Sequence, residues 1–111
     1  MLVKSYSAAV NGMEVTTVTI EVSIVPGVMY HFTGLGDEAV KEGRNRIAAA
    51  LQCNGYLFPR KDTTVNMAPA DIKKEGSAYD LPIAIGILAA DEVVNTEKLE
   101  HYLIMGELGL D

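Results

Sequence analysis

The strongest constraint on the fold of this chain is the alternation of side chains between Thr17 and Ile24. Apolar residues in this stretch occupy every second position, namely Val18, Ile20, Val22 and Ile24. Because successive side chains of a strand point to opposite faces, the pattern predicts a strand that is buried on one face only. The preceding Asn11-Gly12 pair favours the positive φ angles of a type I′ turn. We therefore expect a hairpin whose strands cover residues 2–10 and 13–25.

The rest of the chain alternates between short strands and two helices. Pro26-Gly27 ends the second strand, and residues 28–32 predict a third. From Asp37 the apolar and small positions recur at helical spacing up to Asn54-Gly55, as Val40, Gly43, Ile47, Ala50 and Leu51. Residues 63–67 predict a fourth strand, Asp80 is a plausible N-cap for a buried helix over 83–90, and residues 102–108 predict a last strand. The predicted fold is α+β, with the order β-β-β-α-β-α-β.

Length and composition favour one soluble domain covering residues 1–111. The chain has 111 residues, of which 49% are hydrophobic, enough for one core. No apolar run approaches the roughly 20 residues of a membrane span, and the start lacks a signal-peptide pattern, so we expect a cytoplasmic protein without a membrane partner. The single cysteine, Cys53, is expected to be a small buried side chain. Because Asp111 ends a strand-like pattern with no polar tail, we expect a fragment of a longer protein.

The net charge of −6 conceals a basic middle between two acidic flanks. Residues 1–40 carry a net charge of −3, residues 41–74 carry +4, and residues 75–111 carry −7. The basic residues in this middle part are Lys41, Arg44, Arg46, Arg60, Lys61, Lys73 and Lys74. Such a segment is typical either of a solvated surface or of a phosphate-binding surface. Nucleic acid is therefore a candidate partner.

Short motifs for nucleotides and metals are weak in this sequence. Gly34-x-Gly36-x-x-Ala39 fits a dinucleotide-binding pattern, but Asp37 and Glu38 would place negative charge where a pyrophosphate binds. A glycine turn with acidic residues at the helix end is the simpler interpretation. No P-loop motif is present in these 111 residues. The two histidines lie far apart in sequence without further ligands nearby, so no metal site is predicted.

The loop before the second helix is the most distinctive segment. It is charged and exposes backbone amides at a helix N-terminus. Ser77 with Lys73 or Lys74 has the composition of a serine–lysine nucleophile pair. An exposed lysine keeps its proton and is a poor base, so we expect solvated lysines and a turn or capping serine instead.

Several segments in register resemble the N-terminal domain of the magnesium-chelatase-like, competence-protein ComM family of AAA+ ATPases. The stretches that carry the resemblance are 34–42, 65–71, 74–77, 80–84 and 106–111, with motif-loop residues Asn66, Pro69, Asp71, Lys74, Gly76, Ser77 and Asp80. The resemblance implies a two-layer, Lon-protease-like or ribosomal-protein second-domain-like fold ahead of an ATPase module. ATP and magnesium are then expected in that module, with no cofactor here. The Lon nucleophile position corresponds to Ala78, which implies a domain without peptidase activity.

These observations lead to three hypotheses. In the first, the domain is a non-catalytic accessory of an ATP-driven, hexameric DNA motor in recombination and natural transformation, with branch migration as its activity. Its candidate DNA contacts are Arg44, Arg46, Arg60, Lys61, Lys73 and Lys74. In the second, it is an assembly module that packs against neighbouring subunits or the rest of the parent chain. The third and most remote is a Lon-like serine peptidase.

Overall fold

The alternating strand and its partner form the long hairpin of the sheet. In the computed structural model, which describes residues 1–111, β1 spans Leu2–Asn11 and β2 spans Glu14–Val25. Asn11 pairs with Glu14, so two residues, Gly12 and Met13, form the turn. Gly12 has φ +62°, and Met13 is not among the residues with positive φ. This agrees with a type II′ turn, which has glycine first, and corrects the predicted type I′ turn.

Two further strands complete a mixed sheet in the order β1-β2-β4-β3. β3 spans Tyr30–Thr33, slightly later than predicted, and β4 spans Asp62–Ala68. β4 pairs antiparallel with β2 and parallel with β3. The parallel pairing requires a crossover, and the helix between the two strands supplies it.

The two helices are α1, which spans Glu38–Cys53, and α2, which spans Asp80–Ala90. Asp37 caps α1 by accepting a hydrogen bond from the Val40 amide at 2.9 Å. Tyr79 is the N-cap residue of α2 and makes no side-chain capping bond, so the prediction of Asp80 as N-cap is wrong. Neither helix is both long enough and apolar enough to cross a bilayer.

Close packing of α2 on the sheet makes the core. A Cβ on Gly86 would lie 2.8 Å from Val22 Cγ2, so this glycine sets how near the helix comes to β2. Ser5 Oγ on β1 donates to the Pro82 carbonyl at 2.9 Å. The largest fully buried apolar side chains come from both layers: Ile20, Ile47, Met67, Ile83 and Ile87. The opposite face of the sheet carries half-buried polar residues and has no helix over it.

The end of the chain differs from the predicted last strand. A single 3-10 turn, Leu99–His101, is followed by residues 102–111, which form no strand and are called the C-terminal segment below. Ile104 N donates to Tyr6 O at 2.8 Å, the one backbone bond from this segment to β1. The amide and the carbonyl of Gly106 instead bond to Ala78 O and Leu81 N. The segment therefore turns away from β1 to the start of α2, and the predicted strand is wrong.

Candidate nucleic-acid interface

Lys74 is the most deeply buried charged group of the candidate set. Its side chain is 0% exposed, and its ammonium donates to the carbonyls of Gly34 at 2.6 Å, of Met67 at 2.9 Å and of Pro69. An ammonium has three donors, so the three carbonyls satisfy it. Burial lowers the pKa of Lys74, and the nearby charge of Asp71 opposes that shift. The expectation of a solvated Lys74 is wrong, because its ammonium is buried and hydrogen-bonded to three backbone carbonyls.

The backbone of Lys74 also joins two loops. Its amide donates to Leu35 O at 3.0 Å, and its carbonyl accepts from Asp37 N at 3.0 Å. The Asp37 carboxylate accepts from Gly76 N at 3.2 Å as well as capping α1. A Cβ on Gly34 would lie 2.2 Å from Met67 O, so the loop rests directly on the end of β4. These contacts give the glycine motif and Gly76 a structural explanation as parts of a contact between two loops.

Arg46 on α1 and Asp80 on α2 form a buried ion pair between the helices. Arg46 Nε lies 2.7 Å from Asp80 Oδ2, and Nη2 lies 3.0 Å from Oδ1. The side chain of Asp80 is 1% exposed and that of Arg46 is 21% exposed. The hydrogen bond that Arg46 donates to the Asp80 carboxylate is the main cause that raises the pKa of Arg46. Arg46 therefore holds the two helices together, which makes it unsuitable as a flexible surface contact.

Ser77 does not meet a lysine. Its hydroxyl donates to Glu107 Oε2 at 2.5 Å, while the ammonium of Lys74 faces the three carbonyls. Lys73 is exposed and lies 3.7 Å from Glu75. The Ser–Lys pair considered from sequence is thus not assembled in this structure, and the Leu81 amide at the start of α2 is taken by Gly106.

The remaining motif-loop residues lie on the polar side of the sheet or in the same loop. Asn66 links three strands, because it accepts from Thr33 Oγ1 and donates to Glu21 Oε1, both at 2.8 Å. Pro69 follows a cis peptide bond, and Asp71 is exposed. The side chains of Thr33, Asn66 and Glu21 therefore link β3, β4 and β2 on the face of the sheet that has no helix.

Arg44, an exposed residue of α1, packs its guanidinium over an aromatic pair formed by Tyr30 and Phe58. Its guanidinium carbon lies 5.3 Å from the ring centre of Tyr30 and 5.1 Å from that of Phe58. The two rings are 5.9 Å apart and inclined by 51°. Burial raises the pKa of Tyr30 to about 12, and the charge of Arg44 opposes the shift. No carboxylate lies within 4 Å of the Arg44 nitrogens, so their N–H groups are free for an anion.

Arg60 and Lys61 continue this basic area on the loop after Phe58. Lys61 Nζ lies 3.0 Å from Asp91 Oδ1, whereas Arg60 is exposed and has no ion-pair partner. Both residues line each of two clefts of about 480 and 440 Å³. The smaller cleft, called the Phe58 cleft, is lined by Ala48, Gln52, Leu57, Phe58, Pro59, Arg60, Lys61 and Asp91. We call Arg44, Arg60 and Lys61 together the basic surface.

Of the six predicted contact residues, three belong to the basic surface and three do not. Arg46 pairs with Asp80, and Lys74 is buried. Lys73 is exposed beside Glu75 on the loop before α2. The aromatic support of Tyr30 and Phe58 was not predicted. A usable sequence signal was the run Phe58-Pro59-Arg60-Lys61, which interleaves an aromatic residue with cations.

Metal and thiol candidates stay isolated. His31 faces Asp62 at 3.5 Å and His101 faces Glu100 at 3.8 Å. Across the whole chain, no three His, Cys, Asp or Glu side chains group as metal ligands would. Cys53 is exposed, with its Sγ 3.1 Å from Leu110 O, so its predicted burial is wrong.

The structure is an α+β domain with a mixed four-stranded sheet and two helices, in which Lys74 fixes the loop before α2. The family model described as subunit ChlI of Mg-chelatase matches residues 20–111. The chain belongs to this magnesium-chelatase-like family.

Relatives of known sequence are similar to almost the whole chain. It is 44% identical over 108 residues to the "Uncharacterized protein YifB" of Escherichia coli, covering 95% of this chain and 21% of that protein. It is 42% identical over 106 residues to the "Competence protein ComM" of Haemophilus influenzae, with the same coverage of each. The identity with the "Uncharacterized protein Rv2897c" of Mycobacterium tuberculosis is 39% over 111 residues, covering 97% and 22%. The chain thus spans about a fifth of the length of these relatives.

Proposed function

We propose that this chain is a non-catalytic, Lon-like accessory domain of an AAA+ ATPase, and that its basic surface contacts nucleic-acid phosphates. The parent protein would be an ATP-driven, hexameric DNA motor in recombination and natural transformation, with branch migration as its activity. ATP and magnesium would bind in the ATPase module. The similarity to a protein named for competence supports the parent's role. The position of the basic surface supports the role of the domain.

The observation that carries the phosphate proposal is the stacking of Arg44 on Tyr30 and Phe58. A guanidinium held over aromatic rings keeps its N–H edges available and loses little side-chain entropy on binding. Arg60, which has no ion-pair partner, lines a cleft together with Phe58, and Lys61 lies beside it in an ion pair with Asp91. Arg44 and Arg60 both lie near Phe58 and both lack a carboxylate partner, and a nucleic-acid backbone offers phosphates to more than one such cation.

The test is the salt dependence of DNA binding by the protein as encoded. Arg44→Gln and Arg60→Gln are each compared with the wild type by fluorescence anisotropy, using a labelled oligothymidylate at several salt concentrations. Each lost phosphate contact should lower the slope of log K against log salt by about 0.7 for a single strand. Weaker binding with this smaller slope is expected for both variants.

Lys98→Gln is the matched control, because Lys98 is an exposed cation in the acidic last third of the chain. It removes the same charge and should leave the slope unchanged. If Arg44→Gln and Arg60→Gln keep the wild-type slope, as Lys98→Gln should, the phosphate role is contradicted. Thermal unfolding of each variant verifies that binding is compared between folded proteins.

The non-catalytic part of the proposal rests on Ala78 at the Lon nucleophile position and on the commitment of Lys74 to backbone carbonyls. Serine–lysine chemistry needs an amine beside the hydroxyl, and in residues 1–111 the Ser77 hydroxyl instead meets Glu107, which supports this part of the proposal. Labelling of Ser77 by a fluorophosphonate probe in the protein as encoded would overturn this part.

An assembly role is the second candidate, favoured by apolar exposure on the C-terminal segment. Leu103 and Met105 are about half exposed, and Leu110 more so, within the acidic last third, residues 75–111, which carries a net charge of −7. If this surface packs against a neighbouring subunit, Leu103→Ser with Met105→Ser should disrupt hexamers and leave the salt slope of any remaining DNA binding unchanged. Sedimentation velocity and the anisotropy titration together decide between the two roles.

A further inference from the structure

The Phe58 cleft combines an apolar wall with polar groups that have no partner in the protein. Leu57, Phe58 and Pro59 supply most of its apolar lining, and the small side chain of Ala48 on α1 also lines it. At about 440 Å³ the cleft falls within the size range of small-ligand sites. Such a wall suits a flat, apolar ring.

Two polar side chains of the cleft are free to bind a ligand. The exposed side-chain amide of Gln52 makes no hydrogen bond to the protein, and the exposed guanidinium of Arg60 has no ion-pair partner. Asp91, the only carboxylate of the cleft, is neutralised by Lys61 at 3.0 Å. The free groups are therefore one amide, which both donates and accepts, and one cation.

We propose that the Phe58 cleft binds one nucleotide unit, with the base against Phe58 and Pro59, the base edge on Gln52 and the phosphate on Arg60. A planar ring joined to a phosphate matches the apolar wall, the free amide and the cation together. The inference rests on the proposed function only through Arg60, which both share. The unit is either a free mononucleotide or one nucleotide of an unpaired strand, since both present the same chemistry.

Photo-crosslinking with 5-iodouracil tests where the base lies. The protein as encoded is irradiated with a short oligothymidylate carrying one 5-iodouracil, and separately with free 5-iodo-dUMP. After tryptic digestion, the adduct is expected on residues 47–60, which lie between Arg46 and Lys61 and contain Gln52 and Phe58. An adduct with the strand alone identifies a strand unit, and one with the free nucleotide identifies a mononucleotide site. No adduct on residues 47–60 from either probe overturns the proposal.

Ala48→Phe fills the cleft without changing any charge and should abolish the adduct. Asn45→Phe is the matched control, because Asn45 is an exposed residue of the same helix and does not line the cleft. Circular dichroism establishes that both variants are folded. An adduct that persists unchanged in a folded Ala48→Phe variant would place the base elsewhere and overturn the proposal.

An abasic strand separates the base pocket from the phosphate contacts. If the cleft holds a base, a normal strand should bind at least about fivefold more tightly than an abasic strand of equal length, and Gln52→Ala should reduce this preference. Equal affinity for both strands, with an intact effect of Arg44→Gln on the salt slope, overturns the base pocket and leaves the phosphate role. If no basic-surface variant changes the salt slope but the mononucleotide adduct maps to residues 47–60, the phosphate role is overturned and the base pocket is retained.

Discussion

Arg46 and Asp80 join α1 to α2 by two parallel hydrogen bonds, 2.7 and 3.0 Å long, in a place where the carboxylate is almost fully buried. The same carboxylate accepts from the Leu108 amide at 3.2 Å, so it also holds the C-terminal segment. Arg46 Nη2 additionally donates to Ala39 O at 2.7 Å. Three parts of the chain that are remote in sequence therefore depend on one ion pair.

Removing one partner of this pair should be more harmful than removing both. Arg46→Met leaves the Asp80 carboxylate buried without its cation, and we expect it to lower the free energy of unfolding by about 3–5 kcal/mol. The double variant Arg46→Met with Asp80→Leu leaves no uncompensated charge and should be more stable than Arg46→Met alone. Urea unfolding of the wild type, both single variants and the double variant measures the coupling. Simple additivity of the two single effects would contradict the expectation.

Gly43 provides the space for this ion pair. A Cβ at this position would lie 2.6 Å from Asp80 Oδ1. Alanine is favoured over glycine inside a helix by about 1 kcal/mol, yet the clash should outweigh that gain and make Gly43→Ala less stable by about 1–2 kcal/mol. Asn45→Ala, on the exposed side of the same helix, should be neutral or slightly stabilising. Chemical denaturation compares the two, and a stabilised Gly43→Ala would show that the pair tolerates displacement.

Neighbouring lysines offer a second matched comparison. Lys74→Met removes the donor from three buried carbonyls, so we expect the free energy of unfolding to fall by about 2–4 kcal/mol. Lys73→Met changes an exposed lysine and should stay within about 0.5 kcal/mol of the wild type. Thermal or urea unfolding measures both, and equal effects would contradict the burial of Lys74.

Tyr30 should make stability fall at alkaline pH. Its pKa in the folded protein is raised by burial from 10.0 to about 12. Between these values the unfolded chain loses the proton of this tyrosine while the folded protein keeps it. Ionisation therefore favours the unfolded state, and stability is lost as the pH rises through this window. Tyr30→Phe should remove this part of the loss, and it should also remove one tyrosinate transition near pH 12 in an ultraviolet titration. Identical stability profiles of the two proteins from pH 10 to 12 would contradict the expectation.

The elements with a local sequence signal form as predicted. The strict alternation of Val18 to Ile24 and the three- and four-residue spacing of Val40 to Leu51 each describe one face of one element, and both elements form as predicted. Asn54 and Gly55 end α1 where expected, with Gly55 at φ +83°. These features depend on side-chain direction and backbone preference over a few residues, which a sequence displays directly.

The errors came from partners far away in the chain. The C-terminal segment has a strand-like pattern, but Gly106 bonds to Ala78 and Leu81 instead of continuing along β1. Lys74 looks like any lysine of a charged loop, and only the convergence of carbonyls from residues 34, 67 and 69 buries it. The periodicity of side chains along the sequence does not predict which distant carbonyls come together around one lysine.

The sequence by itself determined the hairpin, the two helices, the segregation of charge and the family to which the chain belongs, because these follow from local patterns and shared motifs. The tertiary structure alone decided which basic residues are available to a ligand. Arg46 and Lys74 are enclosed by groups brought from other parts of the chain, whereas Arg44 and Arg60 remain at the surface beside an aromatic cluster. The physical reason is that a charge is neutralised or exposed according to its neighbours in space, and those neighbours are fixed only when the strands and helices pack.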